Sequence, residues 1–176
     1  MIEIREITPE RKGDIRIPNE PFSVSGKLVP SYTNGKWTYE VVSFAPDAVT
    51  EMCFPDEHYD YEAMTDSIFL GAYDADRCIG LAILQPGVFR YLYLYDLKVN
   101  KSYRGQHIGT MLIQKAKEIA VENGYCGLYT QGQDNNLGAC LFYLSSGFYI
   151  GGLDVNVYRH TKQEGKADII FYCESN

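Results

Sequence analysis

The sequence predicts an α+β fold in which a mixed, mainly antiparallel sheet carries helices on both faces. Its 176 residues, 45% apolar and 22% charged, match the composition of one soluble globular domain that can bury a full core. Apolar runs separated by short polar turns predict hairpins, and a long stretch with helical periodicity follows them. The order of strands, long helix, strand, short helix and strands therefore indicates α+β layers.

Residues 1–66 are predicted to form a distinctive N-terminal portion of a single domain, 1–176, and residues 67–176 its more regular core. We expect an edge strand over 2–7 and a strand over 37–44, where β-branched and aromatic residues are frequent. Prolines leave little room for a long helix in this portion. They are Pro9, Pro18, Pro21 and Pro30.

Two hairpins are predicted to lead into the main helix of the core. The apolar runs 67–73 and 78–84 flank a polar turn, and a turn at 85–87 leads into 91–99, an apolar and aromatic run typical of a central strand. A helix should follow, because one face at helical spacing is apolar and Gly124 ends the pattern. That face consists of Ile108, Met111, Leu112, Ala116, Ile119 and Ala120.

The remaining elements are predicted from shorter patterns. They are a strand over 125–131, a helix over 136–145, and strands over 148–153 and 167–172.

The charge balance disfavours nucleic acid as a partner and favours a cationic molecule. Sixteen basic residues against 23 acidic ones give a net charge of -7, which disfavours binding to nucleic acid backbones and favours a cationic partner. No apolar stretch has the length of a membrane span, and the N-terminus alternates apolar and charged residues. We therefore expect no membrane contact and a cytoplasmic protein.

The five cysteines predict neither disulfides nor a metal site. They are an odd number, scattered along the chain, and none forms a CxxC pair. We expect reduced, mostly buried thiols, with Cys140 in the core because it lies in an apolar helical pattern. No cluster of metal ligands has usable spacing, so no metal is predicted.

The junction between the central strand and the main helix is the first candidate functional segment. A strand ending at Val99 is followed by residues 103–110, which open the helix. Backbone N–H groups at a helix N-terminus attract anions. The alternative is a glycine-containing loop that only turns the chain.

Two motifs in this part of the chain resemble the GNAT superfamily of N-acetyltransferases. The first is the family's Gln/Arg-x-x-Gly-x-Gly/Ala loop, for which this chain supplies Arg104 and Gly109 but has His107 at the middle glycine. The second is Asn136-Leu137-Gly138-Ala139-Cys140-Leu141-Phe142-Tyr143, followed by Gly147-Phe148. The resemblance implies a GNAT-like fold and acetyl-coenzyme A as co-substrate, with no metal.

The resemblance also implies which residues bind the cofactor. Loop amides would hold the pyrophosphate of acetyl-coenzyme A, and the backbone of Leu97 and Val99 would pair with its pantetheine arm. The amide of Leu97 would point toward the acetyl carbonyl. Asn136 would bind the pantetheine or hold the splayed strand, unless it only caps its own helix. The loop residues are Arg104, Gly105, Gln106, His107, Ile108, Gly109 and Thr110.

A narrower resemblance covers most of the chain. Residues 20–30, Trp37-Thr38 and 133–136 look like streptothricin acetyltransferases, which inactivate the antibiotic by acetylating an amine of its β-lysine portion. The alternatives are acetylation of another amine (a polyamine, an aminoglycoside or a protein N-terminus) and a protein that binds acetyl-coenzyme A without catalysis. A homodimer is one option for assembly that the sequence leaves open.

Two residues are candidates for proton transfer. The resemblance implies that Tyr143 protonates the coenzyme A thiolate, and the alternative is a buried tyrosine that only packs. Asp96 precedes Leu97, so its carboxylate could receive the ammonium or relay its proton through water, or be a charge paired with Lys98 or Arg90. Strand alternation places Tyr93 and Tyr95 on the face opposite to Asp96.

An acidic, tyrosine-containing segment is the candidate acceptor site. Carboxylates and aromatic faces suit a strongly cationic substrate, and the family often builds its acceptor site in this region. The alternative is an ordinary solvated acidic face. The predicted acceptor residues are Asp56, Glu57, Tyr59 and Glu62.

Overall fold

The structure is a computed structural model that describes residues 1–87 and 89–175. In this part of the chain two α-helices are present, α1 (Ile108–Glu122) and α2 (Leu137–Ser145), with 3-10 turns at Pro9–Ile15, Pro46–Ala48 and Lys101–Tyr103. The strands of the same residues are β1 (Ile2–Glu6), β2 (Phe22–Val24), β3 (Gly26–Thr33), β4 (Lys36–Ser43), β5 (Thr50–Met52), β6 (Ile68–Asp74), β7 (Arg77–Gln85), β8 (Tyr91–Val99), β9 (Gly127–Gln133), β10 (Tyr149–Asp154) and β11 (Asp168–Glu174).

The chain forms two compact units. The first contains Met1–Glu20, Phe54–Tyr129 and the C-terminal residues from Glu174, and the second contains Pro21–Cys53 and Thr130–Cys173. Each unit therefore takes residues from both sides of the predicted boundary after residue 66. The single-domain assignment stays a prediction.

The first unit is built on a sheet with the order β1-β6-β7-β8-β9. All of its neighbouring strands are antiparallel except β8 and β9, which run parallel. The predicted hairpins, the edge strand and the central strand are therefore confirmed, and so is an α+β fold with a mainly antiparallel sheet.

Helix α1 packs on this sheet through one apolar face. Its buried residues include Leu112, Ala116 and Ala120, as predicted, together with Ile113. Met111, by contrast, is 37% exposed, because the buried arc of the helix is centred between Leu112 and Ala116 and Met111 lies beyond its edge. The helix ends just before Gly124, which has a φ of +78°.

Strand β8 contains a β-bulge beside its most polar residue. The β7–β8 register passes from Ile83↔Asp96 to Leu84↔Leu94, so Tyr95 is an extra residue with no opposite partner in β7. A bulge interrupts the alternation of side chains between the two faces of a strand. The faces predicted for Tyr95 and Asp96 by alternation therefore do not hold at this point.

The second unit contains two antiparallel ribbons, β2 with β5 and β3 with β4. Its other strands are arranged in the order β9-β11-β10, where β9 contributes its residues from Thr130 onward. Strand β4 confirms the strand predicted over 37–44, whereas β2, β3 and β5 were not predicted. Pro30 lies inside β3, where a two-stranded ribbon leaves one edge of the strand unpaired and so tolerates a proline.

None of the five cysteines lies in a disulfide, but they are less buried than expected. Cys140 is in the core as predicted and Cys173 is also buried, whereas Cys53 is exposed and Cys78 and Cys126 are partly buried, so the expectation of mostly buried thiols is wrong. Burial raises the pKa of Cys140 to about 12, so this thiol stays protonated near neutral pH. Among the described residues no group of His, Cys, Asp and Glu could hold a metal ion, and no helix is long and apolar enough to cross a membrane.

Candidate active site

The segment between β8 and α1 is anchored at its start and at its middle. The Asn100 amide donates to the carbonyl of Ile79 at 2.9 Å, and the Tyr103 hydroxyl donates to Asp74 Oδ2 at 3.0 Å. Arg104 Nε donates to the carbonyl of Val99 at 3.1 Å. The end of the central strand and the loop that follows it are therefore held together.

The same loop turns through two residues with left-handed backbone. Gly105 has a φ of +76°, and His107, which precedes α1 as its N-cap residue, has a φ of +62°. The His107 side chain does not cap the helix, and the first intrahelical hydrogen bond runs from Met111 N to His107 O at 3.0 Å. The N–H groups of the first turn, residues 108–110, come before that bond and need acceptors from outside the helix.

This loop is suited to an anion. Its N–H groups lie at the positive end of the α1 dipole, and the first turn of α1 contains no acidic residue. Lys101 and Arg104 add basic charge nearby in an otherwise acidic chain. The donor set fits the pyrophosphate that the sequence predicts for this position.

His107 occupies a backbone conformation that glycine adopts more easily. We expect His107→Gly to raise Tm by about 2–4 °C, since left-handed backbone costs a non-glycine residue ~1 kcal/mol. His107→Ala keeps the left-handed strain and should give no such gain, which thermal unfolding of both variants will show. Equal Tm values for the two variants would mean that the φ of His107 stores no strain.

The second edge of β8 is open near its end. Strand β8 pairs with β7 along to Val99, but its parallel pairing with β9 runs only from Tyr91↔Gly127 to Tyr93↔Tyr129. In the described ranges, no strand pairs with this edge between Tyr95 and Val99. Leu97 and Val99 are accordingly only partly buried. Backbone groups of this edge are available to an extended ligand.

The Asp96 carboxylate joins Tyr59 and Lys98 in a polar network of the first unit. Its Oδ2 accepts a hydrogen bond from the Tyr59 hydroxyl at 2.9 Å and lies 3.0 Å from Lys98 Nζ. Of the two cationic partners that the sequence allowed, the structure selects Lys98. Arg90 instead donates to Cys126 Sγ at 3.3 Å.

Tyr59 contacts both residues at the bulge. Its ring lies 6.1 Å from the ring of Tyr95, centroid to centroid, while its hydroxyl reaches Asp96. Burial raises the pKa of Tyr59 well above its usual value, and the nearby charges of Asp96 and Glu57 raise it further. The phenol therefore stays protonated and acts as a donor to Asp96 rather than as a base.

The predicted acceptor residues all line one cavity of about 860 Å³ in the first unit. Asp56, Glu57, Tyr59 and Glu62 contribute to one wall, and Lys12 and Arg16 also line it. Tyr59, Tyr61 and Met64 pack against a core cluster that includes Phe69. The segment is thus a packed wall with its carboxylates along a cavity, and its volume is within the range of small-molecule sites.

Each of these carboxylates has a partner within the unit. Asp56 Oδ1 accepts a hydrogen bond from the backbone N–H of Asn19 at 2.6 Å, and Glu57 Oε2 accepts one from the side-chain Nδ2 of Asn19 at 3.0 Å. Glu62 Oε1 pairs with Lys12 Nζ at 2.8 Å, with both side chains more than half exposed. Such exposed pairs contribute little to stability and leave the charges accessible to a competing cation.

The second unit holds the other two predicted site residues. Asn136 precedes α2, and its Oδ1 accepts from the Ala139 amide at 3.3 Å, so the capping role that the sequence allowed is present. The pantetheine contact predicted for Asn136 would use its Nδ2 group. Tyr143 is 8% exposed, and its ring packs against Phe148 and Phe171 at centroid distances of 5.4 and 5.5 Å.

Comparison with protein families decides the class of this site. The family model of the acetyltransferase (GNAT) family matches residues 36–148. The chain belongs to this family. The predicted GNAT resemblance is therefore confirmed, and the chain is an N-acetyltransferase that uses acetyl-coenzyme A as its acetyl donor.

Two relatives show which members of the family this chain resembles. The chain is 32% identical to streptothricin acetyltransferase A of Bacillus subtilis, an alignment that covers 96% of this chain and 98% of the relative. It is 26% identical to a streptothricin acetyltransferase of Escherichia coli, over 64% of this chain and 65% of the relative. The narrower resemblance predicted from the sequence is thus confirmed.

Solved structures show the same fold. A Bacillus anthracis protein assigned as a streptothricin acetyltransferase, solved in complex with acetyl-coenzyme A, gives a TM-score of 0.83 at 28% identity and covers 99% of this chain and 98% of its own. A nourseothricin acetyltransferase gives a TM-score of 0.81 at 24% identity, with 99% of each chain covered. At that identity the second structure supports the fold alone.

The residues of this chain fit acetyl-coenzyme A. The left-handed loop presents N–H donors beside basic side chains, and the open edge of β8 presents backbone groups for an extended arm. When bound, acetyl-coenzyme A supplies an acetyl group as a thioester. The chain must then orient that thioester, bind an amine, allow protons to leave the amine nitrogen and supply a proton to the departing thiolate.

Proposed function

We propose that this protein acetylates an amine of the β-lysine portion of streptothricin and thereby inactivates the antibiotic. The observation that carries the proposal is the 32% identity to streptothricin acetyltransferase A over 96% of the chain. The family model matches only residues 36–148. The alignment with streptothricin acetyltransferase A covers 169 residues and so includes most of the chain on either side of that range. Before that range lie the first 35 residues of the N-terminal portion, whereas the predicted acceptor residues 56–62 lie within the range that the family model matches.

The proposal assigns the cofactor to the loop and to β8. Backbone amides of residues 104–110 hold the pyrophosphate, and the open edge at Leu97 and Val99 pairs with the pantetheine arm. The Leu97 amide donates to the acetyl carbonyl and favours attack on it. Asn136 donates its amide to the same arm.

The chemistry then transfers one acetyl group and the protons that accompany it. The acceptor loses a proton to water, directly or through Asp96, and the free amine attacks the thioester carbon. A C–N bond forms, the nitrogen loses its second proton to water, the C–S bond breaks, and the departing thiolate takes a proton from the Tyr143 hydroxyl. Tyr143 regains its proton from solvent.

The acceptor is assigned to the cavity lined by residues 56–62. Streptothricin is strongly cationic, and this wall carries Asp56, Glu57 and Glu62 beside the aromatic face of Tyr59. The net charge of -7 adds a long-range attraction for such a substrate. Chemistry and charge therefore agree on the class of acceptor.

Mass spectrometry of the reaction products tests the substrate. The purified protein is incubated with acetyl-coenzyme A and, separately, with streptothricin, a polyamine, an aminoglycoside and a peptide with a free N-terminus. We expect streptothricin to gain the mass of one acetyl group, with the gain located in the β-lysine fragment, and the other amines to stay unmodified. Acetylation of another amine in place of streptothricin would overturn the proposed substrate.

The carboxylates that line the cavity, Asp56, Glu57 and Glu62, lead to a prediction for acceptor binding. Neutralising Asp56→Asn and Glu57→Gln together should raise KM for streptothricin about tenfold or more, since charge-assisted contacts are lost, and leave KM for acetyl-coenzyme A nearly unchanged. Added salt should weaken acceptor binding in the wild type more than in the variant.

The matched control removes the same charge elsewhere. Asp47→Asn with Glu122→Gln neutralises two exposed carboxylates outside the wall and should leave both KM values near those of the wild type. If the control raises KM for streptothricin as much as the Asp56 and Glu57 variant does, the effect is general electrostatics and the wall is not the acceptor site.

A further inference from the structure

Only one oxygen of the Asp96 carboxylate, Oδ2, has polar partners among the described residues. The Tyr59 hydroxyl and Lys98 Nζ both reach Oδ2, at 2.9 and 3.0 Å. Among the described residues, none donates to Oδ1 of the same carboxylate. Two donors on one oxygen restrict the rotation of a carboxylate and leave its second oxygen able to accept from a further donor.

Lys98 is itself fixed in place. Its side chain is only 11% exposed, and its ammonium also contacts Asn19 Oδ1 at 3.1 Å and Glu57 Oε2 at 3.4 Å. It lies 5.2 Å from the centre of the Tyr59 ring. An ammonium with this many partners does not turn away to cover Oδ1 of Asp96.

The charges of this network do not balance. One ammonium, that of Lys98, faces two carboxylates, those of Asp96 and Glu57. One negative charge is therefore unmatched in a partly buried setting, where Asp96 is 19% exposed. A cation bound at this point would be stabilised by that charge.

The network also lies on the strand that should orient the thioester. Asp96 and Lys98 flank Leu97 in β8, and the bulge at Tyr95 places Asp96 within reach of Tyr59. We propose that Lys98 and Tyr59 are positioning residues that fix the Asp96 carboxylate so that Oδ1 receives the ammonium of the acceptor. The inference rests on the proposed function, because it requires an amine acceptor beside β8.

A double-mutant cycle tests this coupling. Tyr59→Phe, which keeps the ring, should raise KM for the acceptor about tenfold through loss of a hydrogen bond to a charged group, with KM for acetyl-coenzyme A unchanged. In an Asp96→Asn background the same substitution should add little, because the carboxylate that it positions is gone. Lys98→Met should behave like Tyr59→Phe, and Lys98→Arg should recover most of the loss.

The controls separate positioning from folding. Tyr73→Phe removes another tyrosine–aspartate hydrogen bond of the first unit, Tyr73 to Asp14 at 2.8 Å, and should lower Tm without changing either KM. Each variant is also tested for the rise in Tm that coenzyme A produces, which reports an intact cofactor site.

The outcomes are distinct from those of the substrate test. The acceptor used in the cycle is whichever amine the wild type acetylates, so a substrate other than streptothricin overturns the proposed function and leaves the cycle measurable. Additive effects of Tyr59→Phe and Asp96→Asn would overturn the positioning role. So would an equal rise in both KM values, or a Lys98→Arg variant as impaired as Lys98→Met with the coenzyme A shift retained.

Discussion

Tyr143→Phe is expected to lower kcat about 100-fold or more, the usual contribution of a positioned general acid, while KM for acetyl-coenzyme A changes little. The variant removes one hydroxyl and keeps the ring. That ring packs against Phe142, Phe148 and Phe171 at centroid distances between 5.4 and 5.7 Å, so the core of the second unit stays filled. The loss should therefore appear in turnover rather than in folding.

Steady-state kinetics and thermal unfolding together check this expectation. Tyr149→Phe is the matched control, because it removes a tyrosine hydroxyl from an exposed position on β10 of the same unit. It should leave kcat at the wild-type value. A wild-type kcat in Tyr143→Phe would assign Tyr143 to packing alone, the alternative that its burial also fits, and would make water the acid.

Apolar patterns predicted the regular elements. Strand β8 follows from its continuous apolar and aromatic run and helix α1 from the helical spacing of its apolar residues, and their junction was therefore found where the structure has it. Strands β2 and β5 were missed because they pair with each other across about 25 residues of intervening chain and are short, so neither shows a local hairpin signal.

The site was predicted less completely, for a different physical reason. A period of two in β8 cannot show that Tyr95 is an extra residue, since a bulge depends on the register with β7. Nor could the sequence choose between Lys98 and Arg90 as the partner of Asp96. That choice depends on Asn19 and Glu57, which are distant in sequence and hold the Lys98 ammonium in the fold.

The left-handed conformation of His107 shows what a resemblance adds to such patterns. The family motif has glycine at this position, and glycine is the residue that adopts positive φ without cost. The φ of +62° at His107 shows that the loop keeps this backbone shape although the glycine is absent. The motif therefore identified the position at which the structure has a left-handed residue, although the sequence analysis did not predict a positive φ there.

Gly109→Leu is expected to abolish the rise in Tm that coenzyme A gives the wild type. A ligand at about 100 times its Kd stabilises the folded state by ~2.7 kcal/mol, so the lost effect should be several degrees. Gly109 is the second residue of α1, and only Ile108 separates it from the left-handed His107. A bulky side chain there would occupy the space into which the N–H groups of the first turn project.

The matched control places the same side chain at the other end of the helix. Gly124→Leu should lower Tm, because Gly124 has a φ of +78°, but the variant should keep the full shift with coenzyme A. Thermal unfolding with and without coenzyme A separates the two effects, since one substitution removes ligand binding and the other removes stability. If Gly109→Leu keeps the shift, the pyrophosphate binds elsewhere and the loop only turns the chain. If both variants lose it, the shift reports the stability of α1 rather than contact with its N-terminus.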